Sequence, residues 1–125
     1  MIRYLIDANS AVYAMDVGND SLKARIADTT AGELAISAIS YAEVAYGTNV
    51  GKPPPPEVLE AFIQAIPLLP FDESAAREYA KLPFKRARFD RLLAAHALSI
   101  GAVVVTTNEA DFADVPGLVV ENWTV

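Results

Sequence analysis

Four acidic residues, Asp7, Glu43, Asp90 and Asp111, are spaced so that they could do chemistry together. Asp7 directly follows a short apolar run, and Asp111 lies in the polar segment after the apolar run 103–105. Glu43 and Asp90 lie early in two predicted helices. In open α/β sheets, ligands bind where the carboxyl ends of the strands meet the helices, so we expect these acids at one rim of the fold.

A cluster of carboxylates raises its own pKa values unless a cation neutralises it. The sequence has no cysteine and one histidine, His96, so a metal would be held mainly by oxygen. Oxygen ligands favour Mg²⁺ or Mn²⁺. Such an ion polarises a phosphate and activates a bound water, which is the chemistry of metal-assisted phosphodiester hydrolysis.

Each acid also has a structural explanation. Asp7 or Asn9 could simply cap the following helix. The spacing Ser40-x-x-Glu43 is that of a capping box, which would return the Glu43 carboxylate to the helix start. If Ser37 caps instead, Glu43 lies beyond the first turn, in a stripe with Ile39, Ala42 and Tyr46 that should face the core.

His96 lies on the apolar side of the helix that begins near Asp90. We expect it to be a hydrogen-bonded structural histidine rather than a metal ligand.

The apolar runs alternate with helical patterns, which predicts a parallel sheet with right-handed crossovers. Strands are predicted at 4–6, 34–36, 103–105 and 118–120, with a short extended piece at 68–71. Helices are predicted at 10–15, 19–29 and 57–65, and after Ser37, Asp72 and Phe89. With 125 residues, the chain should form a single domain over 1–125, of class α/β with a four- to five-stranded parallel sheet flanked by helices.

The net charge of −6 argues against a general nucleic-acid binder. Five of the ten Lys and Arg residues nevertheless lie between Lys81 and Arg91, which is either a solvated helix face or a patch that attracts phosphates. No signal peptide or membrane-spanning run is visible, so we expect a cytoplasmic protein without a membrane partner.

Four segments, in this order, resemble PIN-domain proteins of the VapC toxin type, and together they cover nearly the whole chain. They are Leu5–Asn9, Ile39–Gly47, Asp90–Leu98, and Val105–Phe112 followed by the ending Val115–Trp123. The resemblance implies a PIN-like three-layer fold and a Mg²⁺- or Mn²⁺-dependent endoribonuclease. It also implies an RNA substrate, a cognate antitoxin protein that holds the toxin inactive, and a homodimer.

Carried over by position, the resemblance makes Asp7, Glu43 and Asp90 the catalytic, metal-binding acids. Asn108 stands where many PIN domains carry a fourth acid, and Asp111 could take that role. Asn9 and Thr107, with Asn108, are expected to support the site by orienting acids or waters through hydrogen bonds.

Three alternatives stay open at this point. A catalytically degenerate PIN domain would act only as an RNA- or antitoxin-binding module. The presence of Asp7, Glu43 and Asp90 argues against this alternative, and Asn108 keeps it open. A haloacid-dehalogenase-like phosphatase would need a second Asp at position 9, which is Asn, and a late lysine, whereas the last is Lys85. A receiver-type phosphoacceptor also lacks that lysine.

Arg86 and Arg88 are the candidate RNA contacts, because they lie just before Asp90. Replacing both should weaken RNA binding and flatten its dependence on salt, since each phosphate contact releases counterions. Affinity measured across a salt series checks this, and unchanged binding would refute the role.

Overall fold

The protein is built on a five-stranded, fully parallel sheet, seen in a computed structural model that describes residues 1–83 and 89–125. In chain order the strands are β1 (Tyr4–Ile6), β2 (Leu34–Ser37), β3 (Leu68–Leu69), β4 (Val103–Val105) and β5 (Val120–Glu121). Their spatial order is β3-β2-β1-β4-β5, so β1 is the central strand. This confirms the predicted α/β class.

Helices cover both faces of the sheet. They are α1 (Ala8–Met15), α2 (Asp20–Asp28), α3 (Ala38–Asn49), α4 (Pro56–Ala65), α5 (Glu73–Ala80) and α6 (Phe89–Ile100), with a 3₁₀ helix at Glu109–Phe112. No helix among the described residues is long and apolar enough to cross a membrane.

Successive residues of β1 point into two separate cores, as the alternation of a strand requires. Leu5 packs in one core with residues of α6, such as Leu93 and Ala97. Ile6 packs in the other with residues of the helices on the opposite face, including Leu22 of α2 and Leu59 of α4. Because β1 is covered on both sides, its sequence is a continuous apolar run.

Three helices begin at a side chain that caps them immediately after a strand or extended segment. Asp7 Oδ1 accepts a hydrogen bond from the Ser10 N–H at 2.8 Å at the start of α1. Ser37 Oγ accepts from the Ile39 N–H at 3.1 Å in α3, and Asp72 Oδ1 accepts from the α5 backbone at 3.0 Å. These short strand-to-helix junctions determine where each helix starts.

Most element boundaries agree with the predicted ones, and the last strand is the main exception. Strand β5 begins at Val120 rather than at Leu118. The reason is a turn in which the Leu118 N–H donates to the Val115 carbonyl at 3.4 Å, which removes Leu118 from the sheet. Arg86 and Arg88, the candidate RNA contacts, lie outside the described residues.

Trp123 closes the second core near the chain terminus, with only 1% of its surface exposed. Its ring packs edge-on against Tyr4 with centroids 5.0 Å apart, and its Nε1–H donates to Glu121 Oε1 at 2.9 Å. Trp123 therefore covers an edge of this core.

We predict that Trp123→Ala lowers the free energy of unfolding by about 3–5 kcal/mol, because it removes a large buried ring from a packed core. Val119→Ala is the control, since Val119 is 57% exposed and its truncation should change stability by less than about 0.5 kcal/mol. Urea denaturation of both variants checks the difference, and similar losses would contradict it.

Candidate active site

Asp7 lies at the carboxyl end of the central strand and is 92% buried, with 8% of its surface exposed. Its N–H donates to the Val105 carbonyl at 2.9 Å, which continues the pairing of β1 with β4. One carboxylate oxygen caps α1, as described above. Capping is therefore part of its role, and it also fixes the orientation of the carboxylate toward the sheet rim.

Glu43 lies in the second turn of α3, because the cap of that helix is Ser37. The capping-box interpretation through Ser40 is therefore wrong. The expected core-facing stripe is also wrong: Ala42, Glu43 and Tyr46 are exposed, and the buried residues of α3 are Ser40 and Val44. Apolar residues occur on all sides of this helix, so periodicity alone could not identify its buried face.

The pKa of Glu43 is raised from 4.5 to about 7. Partial desolvation of the carboxylate by the surrounding protein is the largest cause, although the residue has substantial exposed surface. The negative charges of Asp90 and Asp7 contribute next. Glu43 therefore lies within electrostatic reach of both acids, as the sequence predicted.

Asp90 lies in the first turn of α6, next to Arg91, whose side chain pairs with another acid. The Arg91 guanidinium makes two hydrogen bonds to the Asp114 carboxylate, with N–O distances of 2.7 and 2.5 Å. This paired geometry attaches the start of α6 to the segment after β4. Asp90 directly precedes Arg91, and its negative charge acts on Glu43.

Thr106 stabilises the loop after β4, although the sequence did not predict it as a site residue. Thr106 is buried, and its Oγ1 accepts a hydrogen bond from the Asn108 N–H at 2.9 Å. The feature of the sequence that could have identified it is a threonine directly after an apolar strand. At such a position the hydroxyl can accept a hydrogen bond from the backbone N–H two residues further on. Asn108 itself is exposed, and Thr107 is half-buried.

Asp111 is exposed on the 3₁₀ helix, where its N–H donates to the Asn108 carbonyl at 3.0 Å. The charges that act on the Glu43 pKa are those of Asp90 and Asp7 and do not include Asp111. Its role as a fourth acid stays a prediction.

The chemistry of these side chains suits a hard divalent cation, because all donors are carboxylate oxygens. Within residues 1–83 and 89–125, no group of three or more Asp, Glu or His side chains has the geometry to hold a metal ion as it stands. Asp90 and Asp7 interact electrostatically with Glu43. For the three carboxylates to hold one ion, they would have to move closer together. The raised pKa of Glu43 is the observation that favours such an ion, since a cation would relieve the repulsion that causes part of the shift.

An open groove of about 390 Å³ adjoins Glu43 between α1 and α3. Asn9 lines this groove beside Glu43, as does Lys52 from the loop after α3. This places Asn9 close enough to the acids for the supporting role that the sequence suggested, which stays a prediction.

A family model described as PIN domain matches residues 4–118. The chain belongs to the PIN-domain family. It is 29% identical to the tRNA(fMet)-specific endonuclease VapC of Shigella flexneri, across 99% of this chain and 100% of that protein. It is 26% identical to Ribonuclease VapC2 of Haemophilus influenzae, across 98% and 99% of the two chains.

Two solved structures share this fold closely. One is VapBC2 from Rickettsia felis bound to a DNA fragment from their promoter, with a TM-score of 0.86 and 28% identity over 98% of this chain and 99% of that one. The other is DNA-bound VapBC from Salmonella typhimurium, with a TM-score of 0.85 and 28% identity over the same shares. The expected resemblance to PIN-domain proteins of the VapC type is confirmed.

We predict that Asp90→Asn lowers the pKa of Glu43 from about 7 toward 4.5. Removing a nearby negative charge makes ionisation of Glu43 easier, so the direction is downward. Carbon-detected NMR titration of the Glu43 carboxyl measures it. Asp111→Asn is the matched control and should leave the value unchanged; an equal fall in both variants would contradict the proximity of Asp90.

Proposed function

We propose that this protein is a divalent-metal-dependent endoribonuclease and the toxin of a type II toxin–antitoxin pair. The whole chain, residues 1–125, would act as one PIN domain that hydrolyses RNA phosphodiesters. The observation that supports the proposal is that the negative charges of Asp90 and Asp7 both act on the Glu43 carboxylate, whose pKa is raised first by desolvation and then by these two charges. The match of residues 4–118 to the PIN-domain model supports it as well.

Asp7, Glu43 and Asp90 would hold Mg²⁺ or Mn²⁺, with Asp111 as the candidate fourth acid. When bound, the ion would polarise the scissile phosphate and lower the pKa of an attacking water. Asp7 would contribute a carboxylate already oriented by its cap on α1. Glu43, with a pKa of about 7, would be only partly ionised near neutral pH. A bound cation would displace its proton and pair with the carboxylate charge.

The protein has a net charge of −6, so RNA needs a local group of positive charges near the acidic site to attract its phosphates. Arg86 and Arg88 lie just before Asp90 in the sequence and are the proposed phosphate contacts. Asn9, Thr107 and Asn108 would orient acids or waters around the reacting phosphate.

The proposed partner is a cognate antitoxin protein. The similar Rickettsia felis and Salmonella typhimurium structures are VapBC complexes, and their close fold similarity over nearly the full chain supports this partner. A homodimer and a cytoplasmic location complete the proposal.

The comparisons favour this interpretation over the alternatives left open by the sequence. Membership of the PIN-domain family argues against a haloacid-dehalogenase-like phosphatase. The names of the relatives, which are ribonucleases, favour an active nuclease over a degenerate binding module. The degenerate module remains a possible outcome of the cleavage test.

We predict that Asp7→Asn abolishes RNA cleavage and leaves the fold intact. Asn caps a helix as well as Asp does, so the substitution removes the charge and keeps the cap. Cleavage of a mixed RNA pool by the antitoxin-free protein, with Mg²⁺ or Mn²⁺ and with EDTA, is the measurement.

Asp72→Asn is the matched control, because Asp72 caps α5 in the same way and should tolerate the change without loss of cleavage. Full activity of Asp7→Asn would contradict the metal-site proposal. No cleavage by the unmodified protein, together with no binding of either ion, would instead support the degenerate binding module.

A further inference from the structure

A buried hydrogen bond connects the two helices that carry Glu43 and Asp90. His96 Nδ1 of α6 lies 2.7 Å from Ser37 Oγ, the cap of α3, and the pair is enclosed: Ser37 is fully buried and His96 is 2% exposed. The expectation that His96 is a hydrogen-bonded histidine within the fold is confirmed. The proposed chemistry gives this pair no part, so its role needs its own explanation.

Ser37 uses one hydroxyl for two contacts. Its Oγ accepts from the Ile39 N–H at 3.1 Å, which starts α3, and it is also bonded to the imidazole. The imidazole therefore touches the residue that determines where α3 begins.

The other neighbours of His96 come from the segment between β3 and α5. The Phe71 ring packs edge-on against the imidazole with centroids 5.7 Å apart, and the Asp72 carboxylate acts on it electrostatically. Burial lowers the pKa of His96 despite Asp72, so the ring is neutral at pH 7. A neutral ring keeps the bond to Ser37 without adding a buried positive charge.

Glu43 follows Ser37 by six residues on α3, and His96 follows Asp90 by six residues on α6. At roughly 1.5 Å per residue, each acid lies about 9 Å along a rigid helix from the shared hydrogen bond. A shift at this bond would therefore move the two carboxylates relative to each other.

We propose that His96 is a positioning residue: through its hydrogen bond to Ser37, it sets the distance between Glu43 on α3 and Asp90 on α6. The inference rests on the proposed metal site. A carboxylate pair that must close on one ion tolerates little misplacement, and a residue that acts through the packing of two helices typically changes such a coupling by about 0.5–2 kcal/mol, which is roughly a 2- to 30-fold change in affinity.

Two substitutions separate the hydrogen bond from simple packing. His96→Leu keeps an apolar side chain of moderate size and removes the bond. His96→Asn loses the ring that packs on Phe71 but keeps a polar atom near the position of Nδ1. Leu22→Ala, in the core on the opposite face of the sheet, is the control for a loss of stability alone.

Mn²⁺ binding by calorimetry is the first measurement. We expect His96→Leu to raise the Mn²⁺ dissociation constant roughly 2- to 30-fold, and His96→Asn to restore most of the affinity. Leu22→Ala should lower the melting temperature and leave the dissociation constant unchanged. An unchanged constant in His96→Leu, or an equal loss in both His96 variants, would overturn the proposal.

Ser37→Ala and the Ser37→Ala, His96→Leu double variant form the second test. If the bond is the link, adding His96→Leu to Ser37→Ala should cause no further loss of Mn²⁺ affinity, because Ser37→Ala already removes this bond together with the cap of α3. A further loss in the double variant would overturn the proposal. Should His96→Leu not fold, His96→Phe, which removes the bond and keeps a ring beside Phe71, takes its place in both tests.

Amide hydrogen exchange gives a readout independent of any metal. In His96→Leu, the Ile39 N–H and the rest of the first α3 turn should exchange faster than the change in global stability explains, whereas Leu22→Ala should show only the global change. Unaltered exchange in that turn would overturn the positioning role. Absence of Mn²⁺ binding by the unmodified protein would count against the proposed function and leave exchange to decide this inference.

Discussion

Keeping several carboxylates near one another is the constraint on which the proposed site depends. Partial desolvation is the largest cause of the raised pKa of Glu43, and the negative charges of Asp90 and Asp7 raise it further. Separate acids on a flexible chain would move apart, so keeping them near one another requires a rigid support. The parallel sheet supplies it: β1 ends at Asp7 in the centre, and the two helices that carry the other acids contact each other and the neighbouring strands β2 and β4.

Short polar side chains at the strand ends connect the sheet to the segments that follow by hydrogen bonds. Asp7 caps α1 and Ser37 caps α3, while Thr106 organises the loop that follows β4. All three are buried directly at strand ends, where backbone N–H groups of the next segment need acceptors. Arg91 completes the frame by joining α6 to Asp114. The acids are thus positioned by hydrogen bonds that begin in the sheet.

Family membership gives this arrangement its context. A PIN-domain model covers residues 4–118, and similarity to VapC proteins extends over nearly the full chain at under 30% identity. The buried pair of Ser37 and His96 connects the two acid-bearing helices and does not line the groove beside Glu43.

The sequence by itself determined the α/β class and the strand at 4–6, and it predicted a site of Asp7, Glu43 and Asp90, because strand ends and helix starts follow from local hydrophobic pattern and capping chemistry. Tertiary structure decided which side of α3 is buried, where β5 begins and which hydroxyl organises the β4 loop. These depend on contacts between distant segments: α3 has apolar residues on all sides, and the partner of Ser37, His96, lies 59 positions further along the chain. Local sequence carries no record of such a partner.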